Sequence, residues 1–142
     1  MKKNFLILLA VLVLASFLRL WKLDKVPVSL FGDELEVGYQ AYSILKTGRD
    51  YSGNFLPLHF QSLAEWRTPF YLYSAVPTVA IFGITPWGVR LPAAVFGILG
   101  VLAIYLLVKE LLSYQVIKLN GLRITSHESL AAIAAFLLAI SP

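Results

Sequence analysis

The sequence predicts an all-α membrane protein, in which transmembrane helices accompany amphipathic juxtamembrane helices in a long first extracytoplasmic loop. The first reason is composition: of 142 residues, 58% are hydrophobic and 14% are charged, whereas a soluble domain carries about 25% charged residues. The second is the presence of long uncharged runs bounded by basic residues, which is typical of membrane segments. These flanking residues also explain the net charge of +4, so we expect membrane lipid as a partner and no nucleic acid. The absence of cysteine excludes disulfide frameworks and thiol chemistry.

The N-terminal apolar run predicts a transmembrane segment at residues 4–21. Its uncharged part, residues 4–18, is short for a span, but Lys3 and Arg19 can extend it because their charged ends reach the interface. A cleaved signal peptide is the alternative, since basic residues precede the apolar run. More apolar residues follow the one small-residue site, which favours an uncleaved anchor.

Two further transmembrane segments are predicted, at residues 90–110 and 129–142. Residues 91–108 carry no charge, and as a helix they would be about 27 Å long, close to the hydrocarbon core of roughly 30 Å. The last run reaches the final residues without a charged flank. We therefore expect residues 1–142 to be the N-terminal fragment of one polytopic domain in the cytoplasmic membrane, with a cytoplasmic loop at residues 111–128.

The stretch at residues 68–89 is uncharged and long enough to span a membrane, but prolines and glycines interrupt it. Proline commonly kinks or ends a helix. The positive-inside rule also argues against a crossing, because a crossing would place Lys118 and Arg123 in a short outer loop. We therefore predict an interfacial helix at about residues 69–83, and an outer loop that extends over residues 22–89.

A second interfacial helix is predicted at about residues 34–47. Asp33 is suited to be its N-cap, Glu36 follows at capping-box spacing, and Gly48 is suited to end it. One face of this helix carries an apolar stripe that would rest on the membrane. The stripe consists of Leu35, Tyr39 and Tyr42.

The outer loop holds six of the eight acidic residues, which is more than a connector needs. Asp33 and Glu34 admit two interpretations: acidic residues stabilise a helix N-terminus, and a carboxylate pair at the bilayer surface can act as a general base or hold a divalent cation. Glu65 and Arg67 are either a solvated ion pair or ligands for a charged headgroup, since arginine can bind phosphate in a bidentate manner.

Five short motifs follow one another in a specific order along almost the whole chain. They are FGDE at 31–34, TG at 47–48, EWRTPFY at 65–71, FGIT at 82–85 and WGVRLP at 87–92. In this order, after an N-terminal anchor, they resemble the N-terminal part of bacterial GT-C-fold glycosyltransferases, the protein O-mannosyltransferase and aminoarabinose-transferase-like group. Each motif alone is short, and the resemblance depends on their combined order and spacing.

This resemblance implies a multi-pass enzyme that acts on the extracytoplasmic side of the membrane. It would transfer a sugar, with inversion, from a lipid-linked polyprenyl-phosphate donor to a protein, lipid or glycan acceptor. Asp33 would be the key catalytic residue and Glu65 would line the site. A divalent cation, Mg²⁺ or Mn²⁺, is a candidate cofactor with Asp33 as its candidate ligand. The candidate catalytic residues are Asp33, Glu34 and Glu65, and the candidate substrate-binding residues are Arg67, Tyr39 and Trp66.

Two other functions fit the same residues. The chain could be a small non-enzymatic membrane protein that packs against other helices, with its aromatic loop resting on the bilayer. It could also be a subunit of a lipid-linked oligosaccharide ligase or polymerase. Complete members of the resembled family are several times longer and bind the donor partly through later segments, so we expect this chain alone to be inactive.

Overall fold

A computed structural model describes residues 2–62, 65–114 and 127–141 of the chain. Most of these residues are helical, which confirms the helical part of the predicted fold class, while two strands of two residues each form an antiparallel pair that the sequence did not predict. The helices are α1 (Lys2–Leu20), α2 (Asp33–Thr47), α3 (Pro69–Phe82), α4 (Pro86–Tyr114) and α5 (His127–Ile140), and the strands are β1 (Phe60–Gln61) and β2 (Trp66–Arg67).

Among the described residues, one helix is long and apolar enough to cross a membrane, the part of α4 from Pro86–Leu112. The apolar parts of α1, α3 and α5 are shorter, and they comprise Asn4–Leu20, Pro69–Phe82 and Glu128–Ile140. The spans predicted at residues 4–21 and 129–142 therefore stay predictions. Most of the predicted loop at 111–128 lies outside the described residues.

The predicted bounds of α4, residues 90–110, were too narrow. The helix begins at Pro86, because proline is favoured at the first helical position, where its missing N–H is not needed. Pro92 lies inside the helix and cannot donate to the carbonyl of Gly88, four residues earlier. The hydroxyl of Thr78 in α3 donates to that carbonyl instead, at 2.6 Å. The helix therefore continues through Pro92.

The chain divides into two compact units, and the boundary falls inside α4. The first unit comprises Met1–Trp21 and Val95–Pro142. In this unit α1 packs against α5, and the buried side chains are mostly small. The buried residues of this core are Val11, Ala15, Val101, Tyr105, Ala131, Ala135 and Ala139.

Arg19 closes one end of this first unit. Its guanidinium donates to the carbonyls of Leu138 and Ala139, at 2.9 and 3.0 Å, in the last turn of α5. A Cβ added to Gly97 would lie 2.6 Å from Nε of Arg19. The Arg19 side chain therefore lies directly against Gly97, where a larger residue would displace it.

The second unit, Lys22–Ala94, contains α2, α3, the strand pair and the first turns of α4. Its core lies between α2 and α3 and is formed by Val37, Ala41, Ile44, Phe60, Leu72, Ala75, Val79 and Val89. The three stripe residues of α2, Leu35, Tyr39 and Tyr42, lie on the opposite, exposed side of the helix. That they rest on a membrane stays a prediction.

The predicted end of α2 is confirmed and its predicted cap is wrong. Gly48 adopts a left-handed conformation (φ 68°), and its N–H donates to the carbonyl of Ile44 at 2.8 Å. At the other end the N-cap residue is Gly32, which makes no side-chain cap bond, and Asp33 is the first helical residue. The capping box with Glu36 does not form either, because the carboxylate of Asp33 pairs with Arg67 of β2 and that of Glu36 accepts from Ser62, just after β1.

Candidate active site

A pocket of about 670 Å³ opens on the surface of the second unit. The first turns of α2 form one wall, and the strand pair with the loop that carries Tyr51 forms the other. The lining residues are Gly32, Asp33, Leu35, Glu36, Tyr39, Tyr51, Ser62, Glu65 and Arg67. Four of the six predicted site residues are therefore brought together in this pocket, namely Asp33, Glu65, Arg67 and Tyr39.

Arg67 lies at the centre of the polar side of the pocket. Its Nη2 atom is 2.6 Å from Oδ1 of Asp33, 3.1 Å from Oε1 of Glu65 and 3.4 Å from Oε2 of Glu36. The hydrogen bond that Arg67 donates to Asp33 is the main reason that the pKa of Arg67 is raised above its ordinary value. Since three carboxylates surround one guanidinium, the cluster carries a net negative charge.

The Asp33 side chain combines a fixed position with access to solvent. Arg67 holds its Oδ1 atom, and the helical backbone of α2 fixes its Cα, yet 78% of the side chain remains exposed. A carboxylate in this setting can accept a proton from a molecule that enters the pocket.

Glu36 is one of the pocket residues that the sequence interpretation missed, together with Tyr51 and Ser62, because Glu36 was assigned to a capping box. Its Oε2 atom accepts a hydrogen bond from the hydroxyl of Ser62 at 2.9 Å, and the hydroxyl of Tyr51 lies 3.4 Å from Oε1. The sequence contained a signal for this role, since a residue three positions after Asp33 lies on the same face of a helix.

Tyr51 is held in the pocket by a turn that begins at Asp50. The carboxylate of Asp50 is buried and accepts hydrogen bonds from the backbone N–H and the side-chain amide of Asn54, at 2.7 and 2.9 Å. The N–H of Tyr51 donates to Oε1 of the buried Gln40, and its hydroxyl donates to the carbonyl of Gln61 at 2.7 Å. Burial, followed by the negative charge of Glu36, raises the pKa of Tyr51. The hydroxyl therefore stays protonated near neutral pH.

Glu34, although adjacent to Asp33, faces away from this pocket and pairs with Arg90 of α4. Nε and Nη2 of Arg90 donate to its two carboxylate oxygens at 2.7 and 2.8 Å. The other three N–H groups of the guanidinium donate to backbone carbonyls of Leu23, Pro27 and Ser29. The hydrogen bond from Arg90 lowers the pKa of Glu34. These are the contacts of a structural residue, and a catalytic role for Glu34 stays a prediction.

Trp66 does not line the main pocket. It lines a neighbouring cavity of about 330 Å³, together with Val37, Arg67, Thr68, Tyr71 and Leu72. Arg67 borders both cavities. A ligand in contact with Tyr39 in the main pocket would therefore meet Trp66 only if it also extended past Arg67.

Comparisons of this chain with protein families, with curated proteins and with solved structures found no match. The resemblance to the GT-C glycosyltransferases stays an expectation drawn from the motifs.

The carboxylates around the pocket are arranged around a guanidinium and do not form a ligand set for a divalent cation. Within residues 2–62, 65–114 and 127–141, no group of three or more histidine, aspartate or glutamate side chains is arranged to hold a metal. The three carboxylates at the pocket converge on Arg67 instead, so a guanidinium already occupies the position that a metal ligand set would enclose. Asp33 as a metal ligand stays a prediction.

Proposed function

We propose that this chain belongs to a membrane glycosyltransferase that moves a sugar from a polyprenyl-phosphate donor to an extracytoplasmic acceptor, with inversion. The observation that carries the proposal is the exposed carboxylate of Asp33, held by Arg67 inside a pocket large enough for a monosaccharide. The order of the motifs around these residues supports the choice of reaction. The lipid-linked donor, the acceptor and the membrane location are parts of the proposal.

The properties of α4 support a location in the membrane. The most apolar 18 residues of the candidate span Pro86–Leu112 have a mean hydropathy of 2.5, and only 22% of them are buried. The core helix of a soluble protein would instead be largely buried by its neighbours. Apolar side chains that are exposed on α1 and α5, such as Phe5, Val13 and Leu137, point to the same environment.

Asp33 has the placement that an acceptor-activating base needs. Inverting transfer requires a base on the face of the sugar opposite the leaving group, to take the proton of the acceptor hydroxyl as the new bond forms. An acceptor hydroxyl in the pocket would donate to the exposed carboxylate of Asp33, while Arg67 keeps that carboxylate oriented. The apolar walls, Leu35 and Tyr39, offer a surface on which a sugar ring can stack.

The carboxylates around Arg67 favour a role for this residue in orienting Asp33 over a role in binding the donor phosphate. A lipid phosphate at Arg67 would compete with the carboxylates of Asp33, Glu36 and Glu65 for the same Nη2 atom. Like charges at this distance repel, which disfavours a phosphate beside the cluster. We therefore place the acceptor hydroxyl in the main pocket and the phosphate leaving group outside the carboxylate cluster.

The test is a transfer assay with the Asp33→Asn variant, made in the natural reading frame that contains this sequence. Membranes that contain the protein are incubated with radiolabelled polyprenyl-phosphate mannose, and then with other polyprenyl-phosphate sugars, and the label that leaves the lipid fraction is measured. We expect the wild type to transfer label and Asp33→Asn to transfer none, because an amide cannot accept the proton. Asp24→Asn is the matched control, because Asp24 lies in the same unit but does not line the pocket.

Two outcomes would contradict the proposal. Full transfer by Asp33→Asn would remove Asp33 from the catalytic residues. No transfer by the wild type from any of these lipids, with normal insertion into membranes, would favour the non-enzymatic accessory protein instead.

A further inference from the structure

The segment at residues 26–31, named here the apolar loop, exposes large apolar side chains just before the pocket. Val28 is 91% exposed and Phe31 is 87% exposed, and Val26 is also exposed. An isolated apolar residue on a surface is ordinary, whereas several neighbouring ones in one short segment mark a surface that contacts another apolar phase.

The apolar loop is held firmly at its backbone. The guanidinium of Arg90 donates to the carbonyls of Pro27 and Ser29 within the loop, at 3.0 and 3.2 Å, and to the carbonyl of Leu23 just before it. These bonds fix the backbone while Val28 and Phe31 remain exposed. The exposure is therefore a property of a fixed segment.

Arg90 also determines where the apolar loop lies relative to α4. It is the fifth residue of that helix, so the apolar loop is bonded to the N-terminal end of the candidate span. The 27 residues of the span correspond to about 40 Å of helix, against a hydrocarbon core of roughly 30 Å. The first turns of α4 can then lie at the level of the lipid headgroups, and the apolar loop lies there with them.

The charges beside the apolar loop complement a lipid surface. Lys22 and Lys25 are exposed and Asp24 between them is half-buried, so the segment that precedes the loop carries a net positive charge. Basic residues next to exposed apolar side chains are typical of segments that lie in the membrane interface. We propose that the apolar loop inserts into the headgroup–acyl boundary of the bilayer, with Val28 and Phe31 in the boundary and the two lysines at anionic headgroups. This inference rests on the membrane location in the proposed function.

Insertion has a consequence for the pocket. Phe31 precedes Gly32, which lines the pocket, and Asp33 follows. With Phe31 in the boundary, the entrance of the pocket lies at headgroup depth. A ligand whose polar group is attached to a lipid can then reach Asp33 without leaving the membrane.

The test uses a fluorophore at two positions of this cysteine-free chain. The variants Val28→Cys and Ser52→Cys are each labelled with the environment-sensitive probe NBD, and the full chain is reconstituted into phosphatidylcholine vesicles with phosphatidylglycerol. Val28 and Ser52 are both exposed and belong to the same unit, so neither label should disturb folding, which circular dichroism checks. We expect blue-shifted emission and quenching by nitroxide-labelled lipid at position 28, and quenching by aqueous iodide at position 52.

Flotation of the vesicles separates this inference from the proposed function. If the chain floats with the vesicles while the probe at position 28 behaves as the one at position 52, the insertion is refuted and the membrane location stands. A probe at position 28 that is shielded from iodide but not quenched by nitroxide lipid indicates a protein contact, such as a second copy of the chain, and also refutes insertion. A chain that does not float refutes both.

Discussion

The pair formed by Arg90 and Glu34 should contribute more stability to the second unit than any pair in the pocket. The Arg90 side chain is 7% exposed, and all five of its N–H donors have acceptors at 2.7 to 3.2 Å. Removing one member of a buried pair costs about 3 to 5 kcal/mol. Glu34 is 35% exposed, and its carboxylate can regain water, so we expect a loss of about 3 kcal/mol for Arg90→Met and about 2 kcal/mol for Glu34→Gln.

The double variant should lose much less than the sum of the two single losses. Once Arg90 is absent, the charge of Glu34 has no buried partner left to stabilise. We therefore expect the double variant to lose about 3 kcal/mol in total, which corresponds to a coupling of about 2 kcal/mol between the two side chains. The matched control is Arg67→Met with Asp33→Asn, where Asp33 is largely exposed and the coupling should be about 1 kcal/mol or less.

Denaturant titration of the purified chain in detergent micelles measures these free energies of unfolding. Trp21 lies in the first unit, whereas Trp66 and Trp87 lie in the second, so the tryptophan emission reports the unfolding of the second unit when all variants are made in a Trp21→Phe background. If the loss measured for the Arg90 and Glu34 double variant equals the sum of the two single losses to within about 0.5 kcal/mol, the two side chains are not coupled and the assigned pair is refuted.

Three further predictions concern single residues. The hydrogen bond from Arg90 lowers the pKa of Glu34 below its ordinary value of 4.5. The contribution of the Glu34 carboxylate to the free energy of unfolding is therefore complete above pH 4.5 and is lost as the pH falls through the pKa of Glu34 in the folded chain. The difference in unfolding free energy between wild type and Glu34→Gln should shrink accordingly in acid, and a constant difference would contradict this. Gly48→Ala should lower the free energy of unfolding by about 1 to 2 kcal/mol, because alanine is strained at φ 68°. Gly100→Ala, where the added methyl group meets open space in a helix, should raise it by up to about 1 kcal/mol. Thermal unfolding measures both variants, and equal shifts in their melting temperatures would contradict the left-handed role of Gly48. Thr78→Val should lower the free energy of unfolding by about 1 to 3 kcal/mol, because it leaves the carbonyl of Gly88 unpaired. Thr78→Ser is the control that keeps the hydroxyl, and equal stability of the two variants would refute the prediction.

The ends of the helices in the second unit were predictable where a local rule decides them. Gly48 ends α2 because a left-handed residue is needed there and glycine adopts that conformation without strain. Proline begins α3 at Pro69, as predicted, because its missing N–H is not needed there. The same rule applies to Pro86 of α4, where the predicted start at residue 90 was wrong. Asp33 shows the limit of such rules. Its predicted role as N-cap is taken by Gly32, since glycine is also acceptable at that position, and the carboxylate of Asp33 instead pairs with Arg67, 34 residues later.

The pocket was predictable in part. Asp33, Glu65 and Arg67 were identified through short motifs, and the structure brings them together at Nη2 of Arg67. The position of Tyr51 beside Glu36 was not predictable, because it depends on the turn at Asp50 and on how the strand pair folds back. Separation of the neighbours Asp33 and Glu34 depends on Arg90, which is 56 residues from Glu34 and belongs to another helix.

The hydroxyl of Thr78 makes the beginning of α4 dependent on α3. Without that donor, the carbonyl of Gly88 would lack its usual helical partner, since Pro92 has no N–H to offer. The first turns of α4 are therefore completed by a side chain of the preceding helix. Donor and acceptor are ten residues apart in the chain, so this link closes over a short loop and needs no segment that follows the start of α4.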